Sequence, residues 1–469
     1  MARYKNLSTS KWILSLFVLV LAVLYTFMYM STKGIIDIFE FKLFNLIKDI
    51  FFGVIFILIF SISKNTYLPS SLIPFYFLSY MKDPTVSRPD IDNIPKSLFV
   101  TVACFIVGII LHLIIHKPKF KMAKFSVGIL TYGITLALGG ILSKVVVGEY
   151  DTLSFRWYYP LMLIGLVLVV FFLFNFIANT SDNNFKELAT TMNLLGLTIV
   201  YQIAICIIFK GDVSFINFIK GKQVILGWGV SNNAAMLLLI VIPFSIYSYD
   251  IRKFGYHYLL LFALEVLAIL ITVSKGSILV VGIYSVFIYI FMLVKNKKPI
   301  KWLIIGIIFV STGIGSFYLI KYKLPELYEA FLVHFEFASM DSRVYIYKSA
   351  IAIWKDNKAF GIGIFALPNW NGVHLDTFPS VHNTILEVML MSGIVGLVGF
   401  IYHIIEKYAR VIYNPSYKKF IMLLSFILPA LYGLIDVSYI YPGYMIILFL
   451  SFSLFNREIE NEKVPFLLN

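Results

Sequence analysis

The sequence is poor in charge, in acids above all, and in cysteine. Only 14% of its 469 residues are Asp, Glu, Lys or Arg, against roughly 25% in an ordinary soluble domain. A soluble globule of this size would lack the polar surface to cover itself. The two cysteines, Cys104 and Cys206, both sit inside apolar runs, which argues against a disulfide-stapled scaffold. The seven histidines form no ligand-spaced cluster with cysteines or carboxylates, so no dedicated metal site is expected. No phosphate-cradling glycine motif is present, so nucleotide hydrolysis is not expected either. Internal repeats and low-complexity tracts are not evident.

What the chain has is apolar length. Hydrophobic residues make up 60% of it, enough for roughly 14 spans of about 20 residues each. About 14 apolar runs can be read: 12–30, 43–62, 67–81, 96–116, 123–143, 159–178, 190–209, 230–249, 255–273, 276–294, 302–320, 381–403, 420–435 and 440–455. The third is short and carries Pro69 and Pro74; the last two are short and share a hairpin at Asp436–Tyr439. The first has a basic flank but is too long for a signal peptide, with no small-residue cleavage site, and reads as an uncleaved span. The expected fold is an all-α polytopic membrane helix bundle of about 14 (12–14) spans.

The formal charge of +14 reads as an orientation signal. With an inside N-terminus, the inner connections hold about 21 basic against 7 acidic residues, and the outer ones about 18 against 16. Nearly all the excess lies on one side, as the bias of cytoplasmic loops towards Lys and Arg requires. Both termini are therefore expected in the cytoplasm, and nucleic acid is not an expected partner. The chain divides into N-terminal spans (1–209), spans carrying a Ser-Lys-Gly segment (210–320), one large outer loop (321–380) and C-terminal spans (381–469). The loop is aromatic-rich and balanced in charge. Ser342 is a candidate cap for a helix running to about Asn357, with Val344, Tyr347, Ile351 and Trp354 as an amphipathic stripe. That helix should end before Gly361-Ile362-Gly363.

Polar groups at membrane depth are costly and invite a functional reading. Three stretches reach the outer face: Ser274-Lys275-Gly276-Ser277, Asp341-Ser342-Arg343 and His382-Asn383-Thr384-Ile385-Leu386-Glu387. Lys275 read alone is a snorkelling lysine, and Arg343 read alone is a solvated residue. Together a lysine, an arginine and a histidine make a cationic site with a titratable base. Arginine grips phosphates bidentately, lysine acts as a point charge, and histidine is the usual general base. His382 and Glu387, five residues apart, lie about 140° apart round a helix and are not a simple metal pair.

These segments resemble the O-antigen ligase and polysaccharide polymerase family. Ser274-Lys275-Gly276-Ser277 resembles its Ser-Arg-Gly segment. Arg343, with Tyr347, Ala350, Ile353 and Phe360-Gly361-Ile362-Gly363, resembles its arginine loop ending in a Gly-x-Gly turn. His382-Asn383-Thr384-Ile385-Leu386, with Gly393-Ile394-Val395-Gly396-Leu397 behind it, resembles its His-Asn-x-x-Leu segment, and Gly229-Val230-Ser231-Asn232-Asn233 a further feature. The likeness covers about residues 225–405. Lys275 departs from the pattern, where arginine is usual; it keeps the charge and loses the fork.

The resemblance implies a membrane glycosyltransferase that moves a glycan from undecaprenyl diphosphate to an acceptor hydroxyl outside the cytoplasmic membrane. It implies no metal, no nucleotide and no other cofactor. His382 and Arg343 are then the catalytic residues and Arg343 and Lys275 the diphosphate ligands, with Glu387, Asn383, Ser274 and Asn233 behind them. Glu387 or Asn383 would orient His382. Donor and acceptor would both be lipid-linked, with membrane lipids, a flippase and a chain-length regulator as implied partners. A composition rich in Ile, Lys, Phe, Tyr and Asn, of the kind AT-rich bacterial genomes encode, favours a capsular polysaccharide polymerase. The alternatives are a ligase that attaches the finished glycan to a lipid or wall acceptor and, from another class, a polysaccharide or glycolipid transporter.

Overall fold

The computed structural model describes residues 11–35, 41–81, 96–146, 159–252, 254–295, 299–335, 338–363, 369–370, 373–374, 381–439 and 441–460. In chain order the helices are α1 (Lys11–Thr32), α2 (Phe41–Ile62), α3 (Tyr67–Leu78), α4 (Lys96–His116), α5 (Ser126–Val146), α6 (Tyr159–Thr180), α7 (Phe185–Ile208), α8 (Phe215–Lys220) and α9 (Ser231–Ile251). They continue as α10 (Tyr256–Ile271), α11 (Lys275–Lys295), α12 (Pro299–Lys323), α13 (Pro325–Phe335), α14 (Ala338–Asp356), α15 (Thr384–Ile412), α16 (Tyr417–Tyr432) and α17 (Pro442–Glu460). Two short antiparallel hairpins complete the described structure: β1 (Ile225–Leu226) with β2 (Gly229–Val230), and β3 (Asn369–Trp370) with β4 (Val373–His374).

Each of the fourteen apolar runs forms a helix. By length and composition, eight of the described helices can cross a membrane, or nine if α12 and α13 are one bent span. Large apolar side chains stand exposed all round α12, among them Ile307, Phe309, Val310 and Phe317. Exposure on that scale marks a lipid-facing surface, not a water-facing one. The chain is an all-α, multi-pass membrane protein.

The burial pattern follows from the sequence of each helix. α9 is apolar on every side, as a fully enclosed helix must be; Ala234 to Ser248 are all buried. Its few polar groups are satisfied inside the bundle: Ser245 Oγ donates to Glu265 Oε2 at 2.8 Å, and Asn193 Nδ2 donates to Ser248 Oγ at 2.7 Å. Gly196 leaves the room that the Glu265 carboxylate occupies. α5 runs antiparallel to the second half of α15 through small-residue contacts, Gly139 against Ser392 and Gly399 against Thr135. At the far end of that pair, Glu406 Oε2 accepts the Gly128 N–H at 2.8 Å. That N–H lies in the first turn of α5, where no intrahelical acceptor is available.

Several expectations about the loop need correcting. The loop contains a further helix, α13, which breaks from α12 by 107° at Pro325; the residue before a proline is pushed out of the helical region. α14 begins at Ala338, four residues ahead of Ser342, so Ser342 does not cap it. The packed face of α14 is Ile346, Ala350 and Ile353, which meet Ile362, Val381 and Leu390. Val344 and Ile351 of the expected stripe are exposed. Both sides of this helix are apolar, so periodicity alone does not say which one packs. Parts of the loop, including Ser380, lie outside the described residues.

α15 is not one rod. Gly393 adopts φ 62° and ψ −155° within it, a conformation open essentially to glycine alone. The break lets the 358–363 segment in: Ile362 N–H donates to Leu390 O at 2.8 Å and Ile394 N–H to Lys358 O at 2.8 Å. A Cβ at Gly393 would sit 2.3 Å from Ala359 O. Gly393→Ala should therefore cost at least about 1–3 kcal/mol in backbone strain, read as a clear fall in the thermal midpoint of the detergent-solubilised protein. Gly165→Ala, inside α6 where a Cβ meets nothing within 4 Å, should leave the midpoint unchanged or raise it. Equal midpoints for the two variants would show that the break at Gly393 does not matter.

Candidate active site

Two short connections are stitched together to form the site. Thr384 N–H donates to Gly433 O at 2.8 Å, and Ser438 N–H donates to Thr384 Oγ1 at 3.0 Å. The start of α15 is thereby fastened to the α16–α17 connection. Asn383 caps α15, its Oδ1 accepting Ile385 and Leu386 N–H at 3.0 Å each, which is what an Asn at that position does. Its Nδ2 donates to Leu434 O at 2.9 Å. Immediately before the cap, His382 has φ 56°, the left-handed region that a side chain enters only at a cost.

His382 faces Asp436. Its Nδ1 lies 3.0 Å from Asp436 Oδ1. A carboxylate only accepts, so Nδ1 carries the hydrogen, and in the neutral ring the lone pair lies on Nε2. Asp436 also receives Val437 N–H on Oδ1 and Tyr432 OH and Asn232 Nδ2 on Oδ2, each at 2.8 Å. Burial works to raise the Asp436 pKa, but the hydrogen bond and charge of His382, with Tyr432 and Val437, outweigh it and hold it below the usual carboxylate value. The orienting role expected of Glu387 or Asn383 thus falls to Asp436. Glu387, buried, instead accepts the Val381 N–H at 2.7 Å and supports the backbone just ahead of His382.

Asp436 lines a cavity of about 200 Å³ together with Lys275, Arg343, Ser274 and Asn232. That is room for roughly seven waters at about 30 Å³ each. Lys275 is placed by a sharp turn between α10 and α11. Val273 there has φ 51°, unusual for a β-branched residue, and Ser274 O accepts Ile278 N–H at 2.9 Å to open α11. Ser274 Oγ lies 3.2 Å from Ser277 Oγ. Gly276 brings α11 against Tyr432, to which a Cβ would stand 3.2 Å away. Arg343 comes from α14, and Tyr347, one turn on, donates its OH to His382 O at 2.9 Å. Thus the α14 element that carries the arginine also grips the strained backbone of the histidine.

The structure therefore brings Lys275, Arg343 and Ser274 to one cavity; His382 is not among the residues that line it and is bonded to Asp436, a carboxylate of its wall. Asn233 is not part of that wall. It faces Gly229 and Tyr441, and its neighbour Asn232 takes the place expected of it. With Tyr432, two further residues, Lys222 and His334, complete the polar lining. Neither these two nor Asp436 was singled out in the sequence. Asp436 had the one available signal, an acid in a tight hairpin between two apolar runs.

Residues 259–401 match the family model described as O-antigen ligase. This agrees with the family resemblance of the motifs. The matched span contains Lys275, Arg343 and His382 but stops short of Asp436. No curated protein matches the chain.

Asp436→Asn should release the imidazole. Nitrogen-15 shifts of His382 in the solubilised protein should show mostly the Nδ1–H tautomer in the native chain and a mixture in the variant. The same tautomer in both would mean that Asp436 does not orient His382.

Proposed function

We propose that this chain is a membrane glycosyltransferase that takes a glycan from undecaprenyl diphosphate and joins it to an acceptor hydroxyl. The observation that carries the reading is the single cavity that joins Lys275 and Arg343 to Asp436, the carboxylate that holds His382. Two cations suit a diphosphate, and the imidazole held by Asp436 suits a hydroxyl proton.

In this reading the donor diphosphate sits against the Arg343 guanidinium and the Lys275 ammonium. His382 Nε2 takes the proton of the acceptor hydroxyl as its oxygen attacks the anomeric carbon. The bond from that carbon to the phosphate oxygen breaks on the opposite face, so the configuration inverts. The electron pair leaves with the diphosphate, already a stable anion, which needs charge stabilisation more than protonation. Asp436 stabilises the imidazolium, as the carboxylate of a histidine pair does. The cations do the work that a divalent metal performs in other diphosphate sites, and the reaction is proposed to be metal-independent.

The acceptor in this proposal is a second lipid-linked repeat unit, which makes the protein a polymerase of a surface polysaccharide such as a capsule. The description of the matched domain favours a second reading, a ligase that transfers a finished chain to a lipid or wall anchor. Proteoliposomes given lipid-linked repeat units alone separate the two: a ladder of products supports the polymerase, and transfer only when a distinct acceptor is added supports the ligase. We further propose that the site faces outwards from the cytoplasmic membrane, both termini inside, because the basic connections gather at the opposite end of the bundle. An impermeant thiol reagent should label a cysteine at exposed Asp212 in intact cells, and one at exposed Lys119 only after permeabilisation. The reverse pattern would overturn the orientation.

Arg343→Ala should lower transfer by about a hundredfold or more, the loss expected when one donor to developing charge is removed, with protein level and insertion unchanged. Arg343→Lys should also be impaired, because an ammonium makes no fork-to-fork pair. Lys275→Arg should keep most activity, and Lys275→Ala should not. His382→Ala should cost at least about a hundredfold. Near-normal laddering from Arg343→Ala or His382→Ala would remove that residue from the site.

A further inference from the structure

The cavity holds more positive charge than the two expected cations. Lys222 reaches it from the turn between α8 and β1, a segment outside the matched domain. That turn is a Schellman motif: Lys222 N–H donates to Ile219 O and Gln223 N–H to Phe218 O, each at 3.1 Å. The motif needs one left-handed residue just past the helix, and glycine nearly always supplies it. Here the left-handed residue is Lys222, with φ 47°, although Gly221 stands directly before it. The turn is firmly seated. Phe218 and Ile219 are buried, and His334 Nε2, in the same cavity wall, lies 3.0 Å from Ile219 O. Burial and the fields of Lys275 and Arg343 push the Lys222 pKa down, while Asp436 pulls it back up. A strained lysine is thus held, at a cost, within the field of two other cations, an arrangement that an anion would relieve. Asp436 does not need it, since that carboxylate already has four donors.

We propose that Lys222 is a third cation of the diphosphate site and that it acts on the charge which appears as the diphosphate leaves. The inference rests on the reading of the cavity as a lipid-diphosphate site. The charge balance gives it its specific content. A diphosphate esterified at both ends, by prenyl chain and sugar, carries one negative charge on each phosphate. When the anomeric carbon–oxygen bond breaks, its electron pair stays on the terminal phosphate. The acceptor proton passes to His382 Nε2. The diphosphate becomes a monoester, and the second charge of its terminal phosphate is largely developed at neutral pH. The leaving group therefore departs with about three negative charges where the donor had about two. Lys275 and Arg343 match the donor, and Lys222 matches the increment. An interaction that grows in the transition state raises turnover without tightening donor binding.

The test uses the full chain in proteoliposomes, with lipid-linked repeat units as donor and undecaprenyl diphosphate as product inhibitor. Lys222→Asn removes the charge and keeps a residue that tolerates the left-handed turn. Lys222→Gly relieves the strain outright, so its thermal midpoint should equal or exceed the native one. Both should lower kcat by at least about tenfold and weaken inhibition by undecaprenyl diphosphate by a similar factor, with donor KM changed less than about twofold. Lys222→Arg should recover most of the loss. A rise in KM with kcat intact would make Lys222 a ground-state ligand and overturn the proposal. Unchanged kinetics would make it a turn residue and also overturn it. If undecaprenyl diphosphate fails to inhibit the native protein, the lipid-diphosphate reading itself falls, an outcome distinct from the other two.

Discussion

A buried carboxylate between two membrane helices is the constraint on which the site depends. Asp436 lies in a connection of a protein whose interior is apolar, and an unpaired charge there would be costly. Four donors hold it: His382, Tyr432, Asn232 and the Val437 N–H. They come from the start of α15, the end of α16, the first turn of α9 and the connection itself. Satisfying one charge thus fixes the mutual position of four segments. Removing a partner from a buried charge is more damaging than removing both members, which is why this cluster should move as a unit. The same bonds orient the imidazole, so stability and chemistry share one set of contacts.

Backbone strain is distributed around the same place. His382, Val273 and Lys222 all take left-handed conformations without being glycine. Each precedes or carries a polar side chain that the cavity wall or its carboxylate uses. Conformations of this kind persist only where the surroundings over-determine them. For His382 those surroundings are visible: Tyr347 holds its carbonyl, Glu387 the N–H of Val381, and Asn383 caps the helix that follows. The break at Gly393 belongs to the same design, since it admits the 358–363 segment against α15 and so ties the loop helix to the histidine.

Much of this was legible in the sequence, for reasons that differ by residue. The helices were legible because long apolar runs have few alternatives in a membrane. Lys275, Arg343 and His382 stand out only through the motifs around them, since a lone cation at a span boundary carries no signal of its own. Asp436 was passed over as a hairpin acid; its partners lie 54 and 204 residues away in the chain. The Asn232-Asn233 pair does not reveal which side chain lines the cavity, because successive helix positions point about 100° apart; the wall holds Asn232. The packed face of α14 was misread because lipid and protein both accept apolar residues, and the usual contrast between a wet and a dry side is lost. Lys222 had no motif at all.

A cluster of cations at the polar end of an apolar bundle has an energetic logic of its own. Like charges gathered in a region of low effective dielectric repel one another more strongly than in water. A polyanionic ligand would relieve that repulsion on binding. The field is largely fixed before the ligand arrives, because Lys275 begins a helix, Arg343 sits on a packed helix and Lys222 sits on a seated turn. Preorganised charge of this kind needs no reorganisation as the reaction proceeds, which is what makes it effective towards a leaving group whose charge increases. Asp436 keeps the balance from being purely attractive to anions. By accepting the His382 Nδ1–H it also ties an imidazole to the wall that carries the cations, so one carboxylate tempers the field and fixes the ring together.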